Sequence, residues 1–257
     1  MSTTWLRFFA EVSDALKDFH DRRGQEAIPF FRGQGASAWS LLPGVFRSNH
    51  DRYAEQSLYY EFRSSASMLL AAKLSPWDIA FLMQHHGLPT RLLDWTEAFA
   101  TALYFAVKDK RARAAIWLLD PYALNEATRG QDEILDIESD FRDDYFQYFI
   151  ADAASSFGGI AAVLPQRSNL RLARQLGLFT LHGSNGPLEK DFANCVRKFE
   201  IEAESFREAS QFLELAGVNE YSLFPDLDGL CRHLKGRYES LRATRIGPWE
   251  VKSPAAQ

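Results

Sequence analysis

The chain has 257 residues, 29 Lys and Arg against 34 Asp and Glu, and a formal net charge of −5. Hydrophobic residues make up 46% and charged residues 25%, which excludes a disordered composition, and the length suits one large or two small domains. No apolar run approaches the roughly 20 residues that cross a bilayer, and two cysteines are too few for a disulfide scaffold. We therefore expect a cytoplasmic protein that does not enter the membrane.

Apolar spacing predicts helices and short strands in alternation. Residues 1–25 read as an N-terminal amphipathic helix that packs on the core. Residues 28–32 are β-branched and aromatic and end at a glycine, which predicts a buried strand. The other predicted elements are helices over 55–74, 76–85, 97–107, 205–216 and 226–241, and strands over 114–120, 177–183 and 195–203.

The domain organisation follows from the absence of repeats and of clear linkers. Residues 26–245 are predicted to form a single α+β domain. Within it, residues 121–160 are acidic and aromatic and are expected to be a helical insertion, with a helix near 139–155. Residues 246–257 are expected to form a loose tail.

Two polar segments suggest chemistry. In FRGQ, Arg32 follows the predicted buried strand, and Gly33 lets a backbone approach closely, a pattern typical of an anion clamp. The structural alternative is a surface arginine at a turn. The string QHHGLPTRLLDWT gathers two His, an Arg, an Asp and two Thr between apolar helices. There, Arg91 and Asp94 could instead pair as a buried scaffold, and Asp94 or Thr96 could cap the next helix.

Two later segments are more ambiguous. In RLARQLGLFT, Arg171, Arg174 and Gln175 precede a glycine and a predicted strand, which fits either a binding site or a solvated helix end. In LFPDLDGL, Asp226 and Asp228 are expected to cap and charge the start of a helix.

Several familiar site patterns are absent. The sequence contains no GxxxxGK, GxGxxG, HExxH or GxSxG, which excludes P-loop, Rossmann, zincin and hydrolase-elbow sites. His85 and His86 are adjacent, so their side chains diverge instead of converging on one ion. No metal is expected.

Five segments together resemble the FRG domain family: FFRGQ, WSLLPGVFR, MQHHGLPTRLLDWTEAFATALYFAV, RLARQLGLFT and GVNEYSLFPDLDGL, in order from about residue 28 to 235. This family is similar to a divergent branch of the ADP-ribosyltransferases and is associated with bacterial toxin and anti-phage systems. The resemblance implies an α+β fold, a split mixed or antiparallel β-sheet core surrounded by helices, with NAD bound as a substrate in the cleft.

The resemblance also implies roles for single residues. An Arg or His on the first core strand holds NAD in such enzymes, and Arg32 matches that position. The second motif matches residues 93–96. The implied NAD contacts are Arg32, Gly33, Gln34, Thr90, Arg91, Trp95 and Thr96. The implied catalytic residues are Arg32, Asp94, Gln175 and His86, the last as a proton acceptor.

The sequence departs from the family pattern at the third motif, which normally supplies a glutamate. The nearest equivalent is Gln175, and a neutral amide cannot stabilise the positive charge that develops on the ribose. Either Asp94 supplies the charge, or Asp226 or Asp228 does, or the domain is not catalytic. Arg91 is expected either to pair with Asp94 or to bind phosphate.

The expected function is NAD-dependent transfer of ADP-ribose to a macromolecule, a nucleic acid base or a protein side chain, as a bacterial toxin or defence effector. An antitoxin or immunity protein would be its partner. One alternative is a non-catalytic nucleotide- or anion-binding sensor, and another is metal-dependent phosphodiester chemistry. A basic rim for nucleic acid, or a solvated face, could be formed by Arg167, Arg171, Arg174, Arg197 and Lys198.

Overall fold

The strands of this computed structural model form one mixed sheet, and helices surround it, so the predicted α+β class is confirmed. The structure describes residues 2–47, 52–69, 74–109, 113–151, 157–165 and 170–244. The strands are β1 (Phe30–Gln34), β2 (Leu92–Thr96), β3 (Arg113–Leu119), β4 (Leu135–Asp136), β5 (Ile160–Leu164), β6 (Gly177–His182) and β7 (Val196–Glu202).

Eleven helices accompany the strands within these ranges. They are α1 (Thr3–Arg23), α2 (Gly44–Arg47), α3 (Arg52–Ala66), α4 (Pro76–His85), α5 (Phe99–Val107), α6 (Pro121–Arg129), α7 (Leu170–Arg174), α8 (Leu188–Asp191), α9 (Phe206–Leu215), α10 (Glu220–Leu223) and α11 (Leu227–Thr244). One π-helical turn covers Phe146–Ile150, and short 3-10 turns flank β7.

The sheet is split near its middle. Its order is β4-β5-β6-β2-β1-β3-β7, and all neighbours are antiparallel except β4 and β5. β1 pairs with β3 through five residues, and β2 pairs with β6 through five, but β1 and β2 share the single pair Phe31–Thr96. Two half-sheets therefore meet at one point and part on one side of it.

The backbone of helix α5 packs directly against the backbone of β1 at Gly33. A Cβ on Gly33 would sit 1.8 Å from the carbonyl oxygen of Ala102 and 2.7 Å from the amide nitrogen of Ala106. The close approach that Gly33 permits is therefore to the α5 backbone. Small residues along α5 let the helix pack this tightly, and it is apolar on most of its surface because strands and helices cover it.

The N-terminal helix covers one face of the sheet. The Ser2 hydroxyl caps α1 by accepting from the Trp5 amide, and the helix ends at Gly24, whose φ is 95°. Its apolar stripe packs beside α5, β7 and α9 in one core cluster. The buried stripe of α1 consists of Trp5, Phe8, Val12, Ala15 and Phe19.

The segment 121–160 contributes more than helix. It begins with α6, capped by Asp120 and closed by Gly130 at φ 71°, but it also supplies β4 and the first residue of β5. The helix predicted near 139–155 is, in the described residues, only the π turn Phe146–Ile150. None of the helices in the described ranges has the length and apolar character that a membrane crossing requires. The predicted tail, 246–257, lies outside the described residues.

Candidate functional site

A cavity of about 830 Å³ lies at the split between β1 and β2. Both strands, α5, α7, the end of α4 and the segment 35–47 form its walls. Its ionisable lining consists of four cations and two carboxylates. These are Arg32, Arg47, Lys108 and Arg171, with Asp94 and Asp109.

Arg32 and Asp94 face each other across the split. The Nη1 of Arg32 donates to the backbone oxygen of Asp94 at 2.5 Å and lies 3.8 Å from its carboxylate Oδ2. The Arg32 side chain is only 14% exposed, whereas that of Asp94 is 57% exposed and projects into the cavity. Burial lowers the pKa of Arg32 to about 10, although Asp94 opposes that shift.

The Asp94 carboxylate interacts electrostatically with three arginines. Burial lowers the pKa of Arg32, of Arg47 and of Arg171, and in each case the charge of Asp94 acts in the opposite direction. Three partly desolvated guanidinium groups share this one carboxylate. The positive charge lining the cavity therefore exceeds the negative charge. The arrangement therefore favours an anionic ligand.

Arg32 retains an unused donor. Its Nε is buried and has no hydrogen-bond partner among the described residues. On the same side, His182 is fully buried, and burial together with the charge of Arg32 lowers its pKa to about 3. His182 Nε2 bonds to Thr180 Oγ1 at 2.9 Å, and that oxygen also accepts from Trp95 Nε1 at 3.0 Å. A neutral histidine thus lies close enough to Arg32 to feel its charge.

Asp94 is also held from the α4 side. Gln84 Nε2 donates to Asp94 Oδ2 at 2.7 Å, and Thr90 Oγ1 donates to Gln84 Oε1 at 2.6 Å. Thr90 is fully buried, and its hydroxyl oxygen accepts from the Leu92 amide at 3.1 Å. The QHHGLPTRLLDWT string therefore folds back on itself so that its first residue contacts its aspartate.

Comparison with protein-family models identifies this segment. Residues 28–115 match the model of the FRG domain, a stretch that includes β1, β2, α5 and the contact between Arg32 and Asp94. This stretch, about a third of the chain, is identified as similar to the FRG domain. No curated protein and no solved structure matches the chain. The later segments that resemble the family, RLARQLGLFT and GVNEYSLFPDLDGL, lie beyond the matched stretch of the FRG domain.

Most of the predicted site residues line the cavity. Gln34 is 3% exposed and is used structurally, because it accepts from Trp117 Nε1 at 2.8 Å and donates to the Ser40 oxygen at 3.3 Å. The predicted residues that line the cavity are Arg32, Gly33, Gln34, Asp94, Trp95, Thr96 and Gln175. Thr90, Arg91 and His86 are not among the lining residues.

The predicted pairing of Arg91 with Asp94 is wrong. Arg91 forms a forked ion pair with Glu55, with Nη2 to Oε2 at 2.6 Å and Nε to Oε1 at 2.8 Å. Its Nη1 donates to the Gly183 oxygen at 3.3 Å, and its guanidinium lies 4.7 Å from the Phe149 ring. Because all three nitrogens are used, phosphate binding by Arg91 receives no support from this geometry.

Trp95 and His86 lie in different surroundings. Trp95 lines the cavity, but its side chain is only 3% exposed and packs in the core with Phe30. His86 directly follows α4, is exposed, and contacts the ring of His85 instead of the cavity. Within the described part of the chain, neither side chain forms a hydrogen bond or ion pair with Asp94.

Thr96 and Gln175 join three elements at the cavity edge. Thr96 Oγ1 donates to the backbone oxygen of Gln175 at 2.7 Å and accepts from the Ala98 amide at 3.1 Å, next to the start of α5. The capping alternative for Thr96 is wrong, because the N-cap of α5 is Ala98 and the helix has no side-chain cap hydrogen bond. The Gln175 side chain donates to the Leu223 oxygen at 3.1 Å, so it braces α10 from the cavity wall.

The other candidate acids and bases lie elsewhere. Asp226 Oδ1 accepts from the Gly229 amide at 2.6 Å at the start of α11, the predicted capping role, and neither it nor Asp228 lines the cavity. Of the predicted basic rim, only Arg171 lines the cavity. Arg197 pairs with Asp18, Lys198 pairs with Glu200, Arg174 is exposed, and Arg167 lies outside the described residues.

Sequence reasoning missed several cavity residues. Gln84 lay inside the recognised string but carried no separate signal, and Arg47 ended another recognised segment, WSLLPGVFR. Trp39, Phe46 and Lys108 also line the cavity. Trp39 and Phe46 lie in that same segment but were not singled out as site residues, because the fold alone brings these positions together. Within the described ranges, no group of three or more His, Cys, Asp or Glu side chains is arranged to hold a metal ion.

Proposed function

We propose that this protein transfers ADP-ribose from NAD to a macromolecule. The observation that carries this proposal is the split of the sheet between β1 and β2, with Arg32 and Asp94 facing each other across it in one cavity. A split sheet that binds NAD in its cleft, with an arginine on the first strand, is what the family resemblance implies.

The charge of the cavity supports an NAD-like ligand. NAD carries a diphosphate, and the lining offers four cations against two carboxylates. Arg32 has a buried Nε without a partner among the described residues, a donor that a phosphate or ribose oxygen would satisfy. Arg47 and Arg171 would add to this attraction, because Asp94 is the carboxylate that acts on all three arginines. The volume of about 830 Å³ falls within the range of about 300–1,000 Å³ typical of small-molecule sites.

The reaction needs negative charge near the ribose. As the bond between ribose C1′ and the nicotinamide nitrogen breaks, its electron pair leaves with nicotinamide and positive charge develops on the ribose. The exposed Asp94 carboxylate can stabilise that charge, whereas Gln175 cannot. The acceptor atom then bonds to C1′ and releases its proton. In this assignment Asp94 takes over the role that a glutamate has in related enzymes.

The experiment uses NAD labelled in its adenylate portion, incubated with the protein and with cell extract, DNA or RNA. We expect nicotinamide release together with label on one class of macromolecule. Asp94→Asn keeps the shape but removes the charge, and should lower release by about 100-fold or more. Asp109→Asn, which changes a second carboxylate of the same cavity, is the matched control and should retain most of the activity.

The other outcomes have definite meanings. Binding of NAD without release of nicotinamide would favour the anion- or nucleotide-binding sensor, for which the neutral Gln175 is the specific observation. Equal activity of Asp94→Asn and the unaltered protein would overturn the assignment of Asp94. Absence of NAD binding would overturn the proposal as a whole.

A further inference from the structure

Asp94 projects into the cavity from β2, which is paired with β6 but not with β1 at this position. Its side chain is 57% exposed, and β2 has already parted from β1 at this position, since their only paired residues are Phe31 and Thr96. An exposed carboxylate normally samples several rotamers. A fixed position therefore requires contacts from outside the strand.

Three hydrogen bonds in series supply those contacts. The Leu92 amide donates to Thr90 Oγ1 at 3.1 Å, Thr90 Oγ1 donates to Gln84 Oε1 at 2.6 Å, and Gln84 Nε2 donates to Asp94 Oδ2 at 2.7 Å. The series runs from the Leu92 amide through the hydroxyl of the fully buried Thr90 to the exposed carboxylate.

The direction of the series is fixed at its two ends. The Leu92 amide can only donate and a carboxylate can only accept, so the Thr90 hydrogen is available for Gln84 Oε1 and the Gln84 NH₂ group faces Asp94. The donor on Oδ2 fixes the rotamer of the carboxylate. Oδ1 has no hydrogen-bond partner among the described residues and is left for a ligand.

We propose that Gln84 and Thr90 are positioning residues that hold the Asp94 carboxylate directed into the cavity. This inference rests on the proposed function, in which Asp94 stabilises the developing charge on the ribose. Neither residue needs to touch the ligand, and Thr90 does not line the cavity. Gln84 acts through its amide, and Thr90 acts by selecting the orientation of that amide.

The test compares variants that keep or remove each bond. Gln84→Leu removes the donor, and Gln84→Glu replaces it with a second carboxylate facing Asp94. Thr90→Val removes the hydroxyl at nearly constant shape, whereas Thr90→Ser restores it. Gln211→Leu, on the exposed surface of α9, is the matched control.

We expect Gln84→Leu to lower kcat for nicotinamide release by about tenfold or more, with KM for NAD changed much less. Gln84→Glu places a second carboxylate against Asp94 and should lower kcat at least as far. Thr90→Val should lower kcat in the same way, and Thr90→Ser should return it toward the value of the unaltered protein. Thermal unfolding of each variant shows whether it is folded, and the rescue by serine separates positioning from packing.

A second readout does not depend on the proposed reaction. In ¹⁵N-labelled protein, the side-chain NH₂ signals of Gln84 are identified by their loss in Gln84→Leu. They should shift in Asp94→Asn and in Thr90→Val but not in Thr90→Ser. Unchanged signals in both variants would overturn the inference. Shifted signals without nicotinamide release from the unaltered protein would overturn the proposed function while the hydrogen-bonded arrangement stands.

Discussion

Two arginines of equal exposure occupy opposite kinds of environment. Arg32 and Arg91 each have a side chain that is 14% exposed. Arg91 makes a forked ion pair with the buried Glu55, donates to a backbone oxygen and lies on two aromatic rings. Arg32 makes one hydrogen bond, to a backbone oxygen, and has a buried Nε without a partner in the described part of the chain.

This difference in satisfied donors distinguishes Arg91, which holds the structure together, from Arg32, which belongs to the candidate site. A buried cation whose donors are all satisfied by the protein fixes segments to one another, and Arg91 does so for β2, α3 and the end of β6. A buried cation with unused donors costs stability unless a ligand completes it. Arg32 is of this second kind, and it lies at a cavity. The number of satisfied donors, and not burial, distinguishes the two.

Removing Arg91 should have the largest effect on folding. Arg91→Met leaves Glu55, only 3% exposed, without its cation, and the free energy of unfolding should fall by about 3–5 kcal/mol. Denaturant unfolding measures this. Arg113→Met breaks the exposed Arg113–Glu202 pair and should cost about 1 kcal/mol or less. Similar losses in the two variants would contradict a scaffold role for Arg91.

Removing Arg32 should affect binding more than folding. Arg32→Gln loses one hydrogen bond but also relieves a partly unpaired buried cation, so the loss of stability should be much smaller than for Arg91→Met. Affinity for ADP-ribose, measured by calorimetry, should fall by about tenfold or more because a charge-assisted contact is lost. Arg47→Gln should weaken binding less, since Arg47 is more exposed. A destabilised Arg32→Gln protein that binds normally would place Arg32 with the scaffold.

The smallest effect is expected for substitution of His182, which reports specifically on the environment of Arg32. Its pKa is lowered to about 3, by burial and by Arg32, from an ordinary value near 6.5. Between these values the unfolded chain binds a proton that the folded protein does not, so stability falls as the pH falls through this window. His182→Phe should reduce the dependence of unfolding free energy on pH by up to about 1.4 kcal/mol per pH unit.

The same measurement sharpens the comparison of the arginines. Arg32→Gln removes a positive charge that acts on His182, so the pKa of His182 in the folded protein should rise. The range of pH over which His182 makes stability depend on pH should then become narrower. If His182→Phe had the same pH dependence as the unaltered protein between pH 3 and 6.5, the histidine would not be buried in its neutral form.

Much of the fold follows from local pattern. The strands predicted at 28–32, 114–120, 177–183 and 195–203 lie within two residues of β1, β3, β6 and β7, because each is an apolar run bounded by charge, glycine or proline. β2 was not predicted as a strand because it follows a Gly–Pro segment and has an aspartate at its centre. β5 was missed because two of its five residues are alanine, which has low strand propensity.

Local pattern indicates the limits of a helix better than the contacts at its ends. The helix predicted over 205–216 is present as Phe206–Leu215, but Ser205 makes no side-chain cap, and its hydroxyl is buried without a partner in the described residues. Glu208 instead accepts from the Ser2 amide at 2.9 Å. The Glu208 carboxylate is bound by Ser2, which lies 206 positions away in sequence, and no local motif indicates this contact.

The site was predictable to the extent that its residues lie in short strings. Arg32, Asp94 and Gln175 were each singled out from a local pattern, and all three line the cavity. The partner of Arg91 was not predictable, because Glu55 lies 36 residues away in a chain with 34 acids. The packing of α3 against α4 and the π turn decides which of these acids a buried arginine meets, and sequence spacing does not indicate it.

The split in the sheet also constrains how the chain folds. One half-sheet uses β1, β3 and β7, and the other half uses strands that lie between β1 and β7 in sequence. The halves are interleaved along the chain, so neither can assemble from a contiguous stretch of polypeptide. Such non-local pairing slows folding. A break in the chain at 165 would leave both halves incomplete, and the cavity between them would be lost with either one.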